Sequence, residues 1–255
     1  MRIRVITSPD ALDPVSDLRD IWAAVVVDVL RATSTMAKAL SLGAERILTF
    51  SQPERLLEKA GLIPRCITLG ERGGKVLEGF DLGNSPCALE KGLVTGKTVL
   101  MTTTNGTRAI DALSGISIVV SMALVNRMAV ARYLAERLRI EALEAPRLLI
   151  LCSGWKGGFS AEDMAGAGAL IEALDGLVYP GIELENDEAL VASALFKVWN
   201  KDLSLLLVRT SHGKRLMRLG ERDDISWCSG LDRLDVVPVM RSKREFVRAG
   251  LSVGR

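Results

Sequence analysis

Asp28, Arg31, Thr33, Ser34 and Thr35 lie close together in AAVVVDVLRATST, the segment from Ala23 to Thr35. A carboxylate can hold a cation, a guanidinium can grip an oxyanion, and hydroxyls at a helix start can orient an ester. That combination suits a metal-bound phosphate. Other loops carry side chains of the same kinds. GERGGKVLEGFDLGNSP, from Gly70 to Pro86, opens with Glu71 beside Arg72 and reaches Asp81 and Asn84 near its end. It is long for a connection inside a compact domain, which marks function or mobility, and a solvated surface loop is the simpler alternative. TTTNGT, from Thr102 to Thr107, holds Asn105 and Gly106, a turn signal in their own right, and sets Thr107 at a helix start where free N–H groups can cradle an anion. SGWKGGFSAED, from Ser153 to Asp163, carries Lys156 on a glycine loop and Ser160 with Asp163 in a capping-box arrangement. Glu162 and Asp163 there are either ligands or simply acids favouring a first helical turn.

The chain has one histidine, His212, and four cysteines, Cys66, Cys87, Cys152 and Cys228, too scattered for a zinc centre or a disulfide framework. A catalytic metal is therefore expected to be a hard cation held by oxygen, namely magnesium. His212 reads either as a general acid or as a turn residue beside Gly213. Walker spacing fails at Gly74-Lys75, and Leu30 stands where an aspartyl phosphatase of the haloacid dehalogenase type needs a second Asp. Cys66 to Arg72 fits the Cys-x5-Arg spacing of cysteine phosphatases, but Cys66 falls at a strand start, away from the helix N–H groups that lower a thiol pKa.

The elements that must position these residues alternate. Ala23 to Val27 is apolar throughout and reads as a strand buried on both faces, with Asp28 at its carboxyl end, where open α/β sheets bind ligands. Further strands are expected at Arg2–Thr7, Arg46–Phe50, Cys66–Leu69, Lys97–Met101, Ile116–Val120, Arg147–Cys152 and Asp235–Met240. Helices are expected at Met36–Leu42, Pro53–Ala60, Thr107–Leu113, Val125–Arg139, Glu162–Leu174 and Asp187–Trp199. This order predicts a layered α/β/α unit with a largely parallel or mixed sheet over residues 1–255. Two similar halves, 1–143 and 144–255, meet at the seam from Glu141 to Pro146 in the alternative reading.

With 48% hydrophobic residues and a net charge of +2, the chain can build a large core and does not advertise a nucleic-acid partner. The N-terminus lacks a signal-peptide core and no apolar run spans a bilayer, so a soluble, cytoplasmic protein is expected, with no membrane partner. A homodimer is expected only because dimers are the commonest assembly.

Taken in order, VVVDVLRATST, GERGGKVLEGFDLGNSP, TTTNGT, CSGWKGGFSAEDMAGAGAL, SHGKRLMRLG and DVVPV resemble the 2-phosphosulfolactate phosphatase family of the ComB type, over most of the chain from Val25 to Val239. The resemblance implies an α/β fold of its own kind. It also implies a magnesium-dependent hydrolase that removes phosphate from (R)-2-phospho-3-sulfolactate, giving 3-sulfolactate on the way to coenzyme M. On that footing Asp28, with Glu71 and one or both of Glu162 and Asp163, would hold Mg²⁺. Asp28, Arg31, Glu71 and Arg72 would be catalytic, Arg31, Arg72 and Lys156 would bind the substrate's anionic groups, and Thr33, Ser34, Asn105, Gly106 and Thr107 would orient the ester by direct attack of water. A cysteine-dependent phosphatase using Cys66 and Arg72, or a non-catalytic anion-binding module, are the alternatives.

Overall fold

The computed structural model describes residues 1–73 and 75–250; Gly74 of the glycine-rich loop lies outside the described residues. The strands are β1 (Arg2–Ile6), β2 (Ile21–Val27), β3 (Arg46–Thr49), β4 (Cys66–Arg72), β5 (Lys75–Val76), β6 (Thr98–Thr102), β7 (Ile118–Met122), β8 (Arg147–Cys152), β9 (Glu183–Leu184), β10 (Pro238–Ser242) and β11 (Glu245–Arg248). The helices are α1 (Ala32–Ser41), α2 (Pro53–Ala60), α3 (Lys91–Val94), α4 (Gly106–Ala112), α5 (Arg127–Glu141), α6 (Ala161–Asp175), α7 (Asp187–Trp199), α8 (Leu203–Arg209), α9 (Ser211–Arg218) and α10 (Arg222–Cys228).

β2 shows why the sheet is covered twice. Its apolar residues alternate between two cores: Ala23, Val25 and Val27 pack with Leu134 of α5 and Leu170 of α6, whereas Ala24 and Val26 pack with Met36 of α1 and Ile110 of α4. Strict period two along a run that is apolar throughout demands a helical layer on each face. On one of those faces α6 comes very close, because a Cβ on Gly166 would stand 2.9 Å from Val27. On its outer side, a Cβ on Gly168 would stand 2.0 Å from the Ala192 carbonyl of α7.

The sheet is mixed, in the order β5-β4-β6-β3-β11-β10-β7-β2-β8-β1-β9. β4, β6 and β3 form one parallel block; β7, β2, β8, β1 and β9 form another. The β10–β11 hairpin joins them through three antiparallel pairings, so the blocks run in opposite senses. Sheet twist of roughly 20–25° per pairing, accumulated over the pairings between β6 and β2, turns the strands by on the order of 100°. Residues just past the carboxyl ends of both blocks, Asp28 after β2 and Thr103 after β6, line a common cleft. β8, from beyond Pro146, lies between β1 and β2, so the sheet crosses the seam expected near residue 143.

Several boundaries differ from the sequence reading. β4 runs on through Gly70, which pairs with Thr102 of β6, and through Glu71 and Arg72, which pair with β5, so all three belong to a strand rather than to the start of a loop. α1 begins at Ala32 rather than Met36, so Thr33, Ser34 and Thr35 lie inside its first turn, and it has no side-chain cap. The last expected strand is a hairpin, because Arg244 takes a left-handed φ of 64° and reverses the chain. No helix among the described residues is long and apolar enough to cross a membrane.

Candidate active site

The turn after β2 is held by its own hydroxyls. Thr33 Oγ1 accepts from the Asp28 N–H at 3.0 Å and donates to the Asp28 carbonyl at 2.7 Å, and Ser34 donates to the Val29 carbonyl at 2.8 Å. Both side chains are buried in the turn and shape it. Their work is to fix Asp28, whose Oδ1 accepts from the Ala32 N–H at 3.1 Å. Its Oδ2 stands against Gly106, where a Cβ would come within 3.0 Å of it and 2.8 Å of Ala32. Gly106 therefore serves by lacking a side chain.

Asp28 faces a cleft of about 270 Å³, which Glu71 from the end of β4 also lines. Thr103, Thr104 and Asn105 come from the turn after β6, and Asn84 from the end of the glycine-rich loop. Trp155, Lys156, His212 and Arg215 complete the wall with Arg31. Two of these residues carry buried oxygens without a hydrogen-bond partner, Asn84 Oδ1 and Thr103 Oγ1. Orphaned buried oxygens are rare in folded proteins, and these two are available to a water, an ion or a ligand in the cleft.

Burial pushes the Asp28 carboxyl up to about 7, and the negative charges of Glu162 and Glu71 add to the rise against the Ala32 N–H and the Arg31 guanidinium. Glu162 is raised mainly by burial. Asp163 is raised by burial and then by Asp28 and Glu162. The acids therefore repel one another across a dry region, a tension that a cation relieves.

Glu162 and Asp163 nevertheless do not line the cleft. Asp163 accepts from the N–H groups of Val29, at 2.9 Å, and Gly154, at 3.1 Å, so it straps two strand ends together. Ser160 caps α6 as expected, accepting from the Asp163 N–H, while the Asp163 carboxylate goes to those other donors instead of back to the cap. Glu162 lies 3.7 Å from His212 Nδ1. Among the described residues no group of three or more His, Cys, Asp or Glu is arranged to hold a metal. The oxygens that fit a hard cation are the carboxylates of Asp28 and Glu71 with Asn84 Oδ1 and Thr103 Oγ1.

Arg31 is placed in the cleft wall but is not a free cation, because its Nη1 donates to both Glu221 and Asp224. Asp224 also accepts from Ser85, at 2.7 Å, and from the Cys87 N–H, so Arg31 fastens α10 and the glycine-rich loop to the β2 turn. Arg72 does not line the cleft and donates to the Glu71 carbonyl, at 2.8 Å, and to Thr102. Thr107 donates to the Thr103 carbonyl at 2.8 Å and is buried. Cys66 is half-buried at the start of β4, its thiol raised by burial and by Asp81, and it lines no part of the cleft.

Of the expected site residues, Asp28, Arg31, Glu71, Asn105 and Lys156 meet in the cleft, whereas Arg72, Thr33, Ser34, Thr107, Glu162 and Asp163 surround or support it. Trp155 and Arg215 were not anticipated. His212 stacks on Trp155 with ring centroids 4.0 Å apart, and burial pushes its pKa down to about 3, which leaves it neutral. The signal for Arg215 was in the sequence, since Ser211, Lys214, Arg215 and Arg218 recur at helical spacing.

The fold and cleft define a class: an α/β protein with a pocket at its strand ends lined by acidic, basic and hydroxyl side chains. The family model described as 2-phosphosulpholactate phosphatase matches residues 6–243. A relative from Parasynechococcus marenigrum, named a probable 2-phosphosulfolactate phosphatase, is 47% identical over 86% of this chain and 89% of its own length. One of the same name from Gloeobacter violaceus is 46% identical over 84% of this chain and 86% of its own. Another from Microcystis aeruginosa is 38% identical over 97% of this chain and 100% of its own. The chain belongs to the 2-phosphosulfolactate phosphatase family, a family of phosphoric monoester hydrolases.

Proposed function

We propose that this chain hydrolyses the phosphate ester of (R)-2-phospho-3-sulfolactate to 3-sulfolactate and phosphate, with Mg²⁺ as cofactor, as a cytoplasmic step towards coenzyme M. The observation that carries the reading is the juxtaposition in one small cleft of Asp28, Glu71 and two unpartnered oxygens with the cations Lys156 and Arg215. Asp28 and Glu71, with Asn84 and Thr103, would hold the magnesium, which supplies charge neutralisation at the phosphoryl oxygens and a more acidic water. The buried Ala32 N–H keeps the Asp28 carboxylate aimed, and Gly106 leaves room for it. Lys156 and Arg215 bind anionic groups of the substrate, arginine by a two-pronged contact. Asn105 orients the ester from the other wall. Direct attack by water is favoured because the Cys66 and Cys87 thiols are raised, Cys87 to about 11, and neither lines the cleft.

The test is phosphate release from phosphosulfolactate with magnesium, with a chelator, and after magnesium is restored, alongside thermal unfolding of the same samples. Turnover that disappears and returns with the metal, together with a metal-dependent rise in Tm, is the expected result. Full turnover in chelator removes magnesium from the reading, and no release under any condition removes the substrate.

A further inference from the structure

The cleft does not end at Arg215. A second hollow of about 300 Å³ adjoins it, and Trp155, Lys156 and Arg215 line both. Ser211, Lys214 and Arg218 form the rest of its wall. With Arg215 these occupy positions i, i+3, i+4 and i+7 of α9, a single face of the helix, while Gly213 and Leu216 are buried on the other. Among the described residues four cations and no carboxylate line this hollow, whereas Asp28 and Glu71 stand in the inner cleft. The combined cavity is thus electrically divided, with acids at one end and bases at the other.

The backbone adds a second observation. Trp155 and Gly158 exchange N–H to carbonyl bonds at 3.0 Å, closing a two-residue turn in which Lys156 has a φ of 53° and Gly157 a φ of 81°. Glycine or asparagine suits that left-handed first position, so a lysine there is held against local preference, as happens where a side chain has a task. Its ammonium lies 5.9 Å from the centre of the Trp155 ring, which stacks in turn on His212 of α9. The turn and the basic helix face are in this way braced together. Arg215 also donates to the Gly73 carbonyl, which ties α9 to the turn after β4.

We propose that Lys156, Lys214, Arg215 and Arg218 form a distinct subsite for the substrate's sulfonate, with the phosphate at the inner end beside Asp28 and Glu71. The subsite rests on the phosphatase reading above and sets its specificity. A sulfonate stays ionised at every working pH and cannot shed charge to enter a cavity, so it needs fixed cations. Lys156, Lys214 and Arg218 are exposed, so a substrate with hydrogen in its place returns them to water and forgoes the charge-assisted contacts.

The experiment compares kcat and KM for 2-phospho-3-sulfolactate and for 2-phospholactate, which lacks only the sulfonate, in the parent, Lys156→Gly and Arg218→Ala. Lys156→Gly removes the ammonium while suiting the left-handed turn, so Tm is expected to hold or rise. The parent is expected to prefer the sulfonated ester by about a hundredfold in kcat/KM, the worth of a pair of charge-assisted contacts. Each substitution is expected to shrink that preference by about tenfold, through KM for the sulfonated ester. Equal losses on both esters, or a preference that survives both substitutions, overturn the subsite. No turnover of either ester by the parent overturns the phosphatase reading itself.

Discussion

Replacing Asp28 by asparagine separates what this side chain costs the fold from what it does in the cleft. Its carboxyl is pushed up to about 7 from an ordinary 3.8, first by burial and then by the charges of Glu162 and Glu71. Between those values the folded protein keeps a proton that the unfolded chain has released, so stability falls as pH rises, and the loss is complete above about 7. At 1.36 kcal/mol for each pH unit, the full loss is on the order of 4 kcal/mol. Asparagine is nearly isosteric, keeps an oxygen for the Ala32 N–H and carries no charge. In a chelator at pH 8, Asp28→Asn is therefore expected to unfold at a higher temperature than the parent, by up to about 10 °C for a chain of this size. At pH 5 the gain is expected to shrink to less than half. Turnover with magnesium is expected to fall at least about a thousandfold, and magnesium is expected to raise the Tm of the parent far more than that of the variant. Differential scanning calorimetry at both pH values, paired with phosphate release, reads all of this. A stability gain that is absent, or the same at both pH values, refutes the electrostatic account; near-parental turnover refutes the functional one.

Other substitutions probe the frame. Gly106→Ala puts a methyl 2.8 Å from Ala32 and 3.0 Å from the Asp28 and Thr103 oxygens. Crowding of about 1–3 kcal/mol is partly offset by the better helix propensity of alanine, so kcat/KM is expected to fall about a hundredfold while Tm moves only a few degrees. Asp224→Ala leaves the buried Arg31 guanidinium with Glu221 alone and frees Ser85, an expected loss of about 3–5 kcal/mol in chemical denaturation. Cys66→Ser is expected to leave kcat within about twofold, since the thiol is raised and lies outside the cleft; a dead variant with parental Tm would restore a cysteine nucleophile.

What the sequence made legible follows from range. The β2 strand and the acid after it are local signals, an apolar run and the residue that stops it, and they are where the reading put them. The loops after β4, β6 and β8 were found because glycine, threonine and asparagine have local conformational causes. Long-range partners were not legible. Arg31 looked free because Glu221 and Asp224 lie 190 and 193 residues away. Asp163 looked like a ligand because nothing nearby in sequence shows that the Val29 N–H, from 134 residues earlier, claims it. The sequence assigns the hydroxyls of Thr33 and Ser34 to the ester, whereas short polar side chains after a strand compete for nearby backbone groups, as these do. The α8–α10 segment was passed over because its helices are only seven or eight residues long, too short to show a firm period.

The place of the β10–β11 hairpin at mid-sheet sets the order in which the molecule can be assembled. A ribosome delivers both parallel blocks before residues 238–248, so β3 and β7 must wait with raw edges, the kind that invite pairing with another nascent chain. The splice itself is slender, a single matched pair between β10 and β7 and two between β11 and β3. Because the cleft draws on strand ends from each block, the pocket is born only when this late suture is tied.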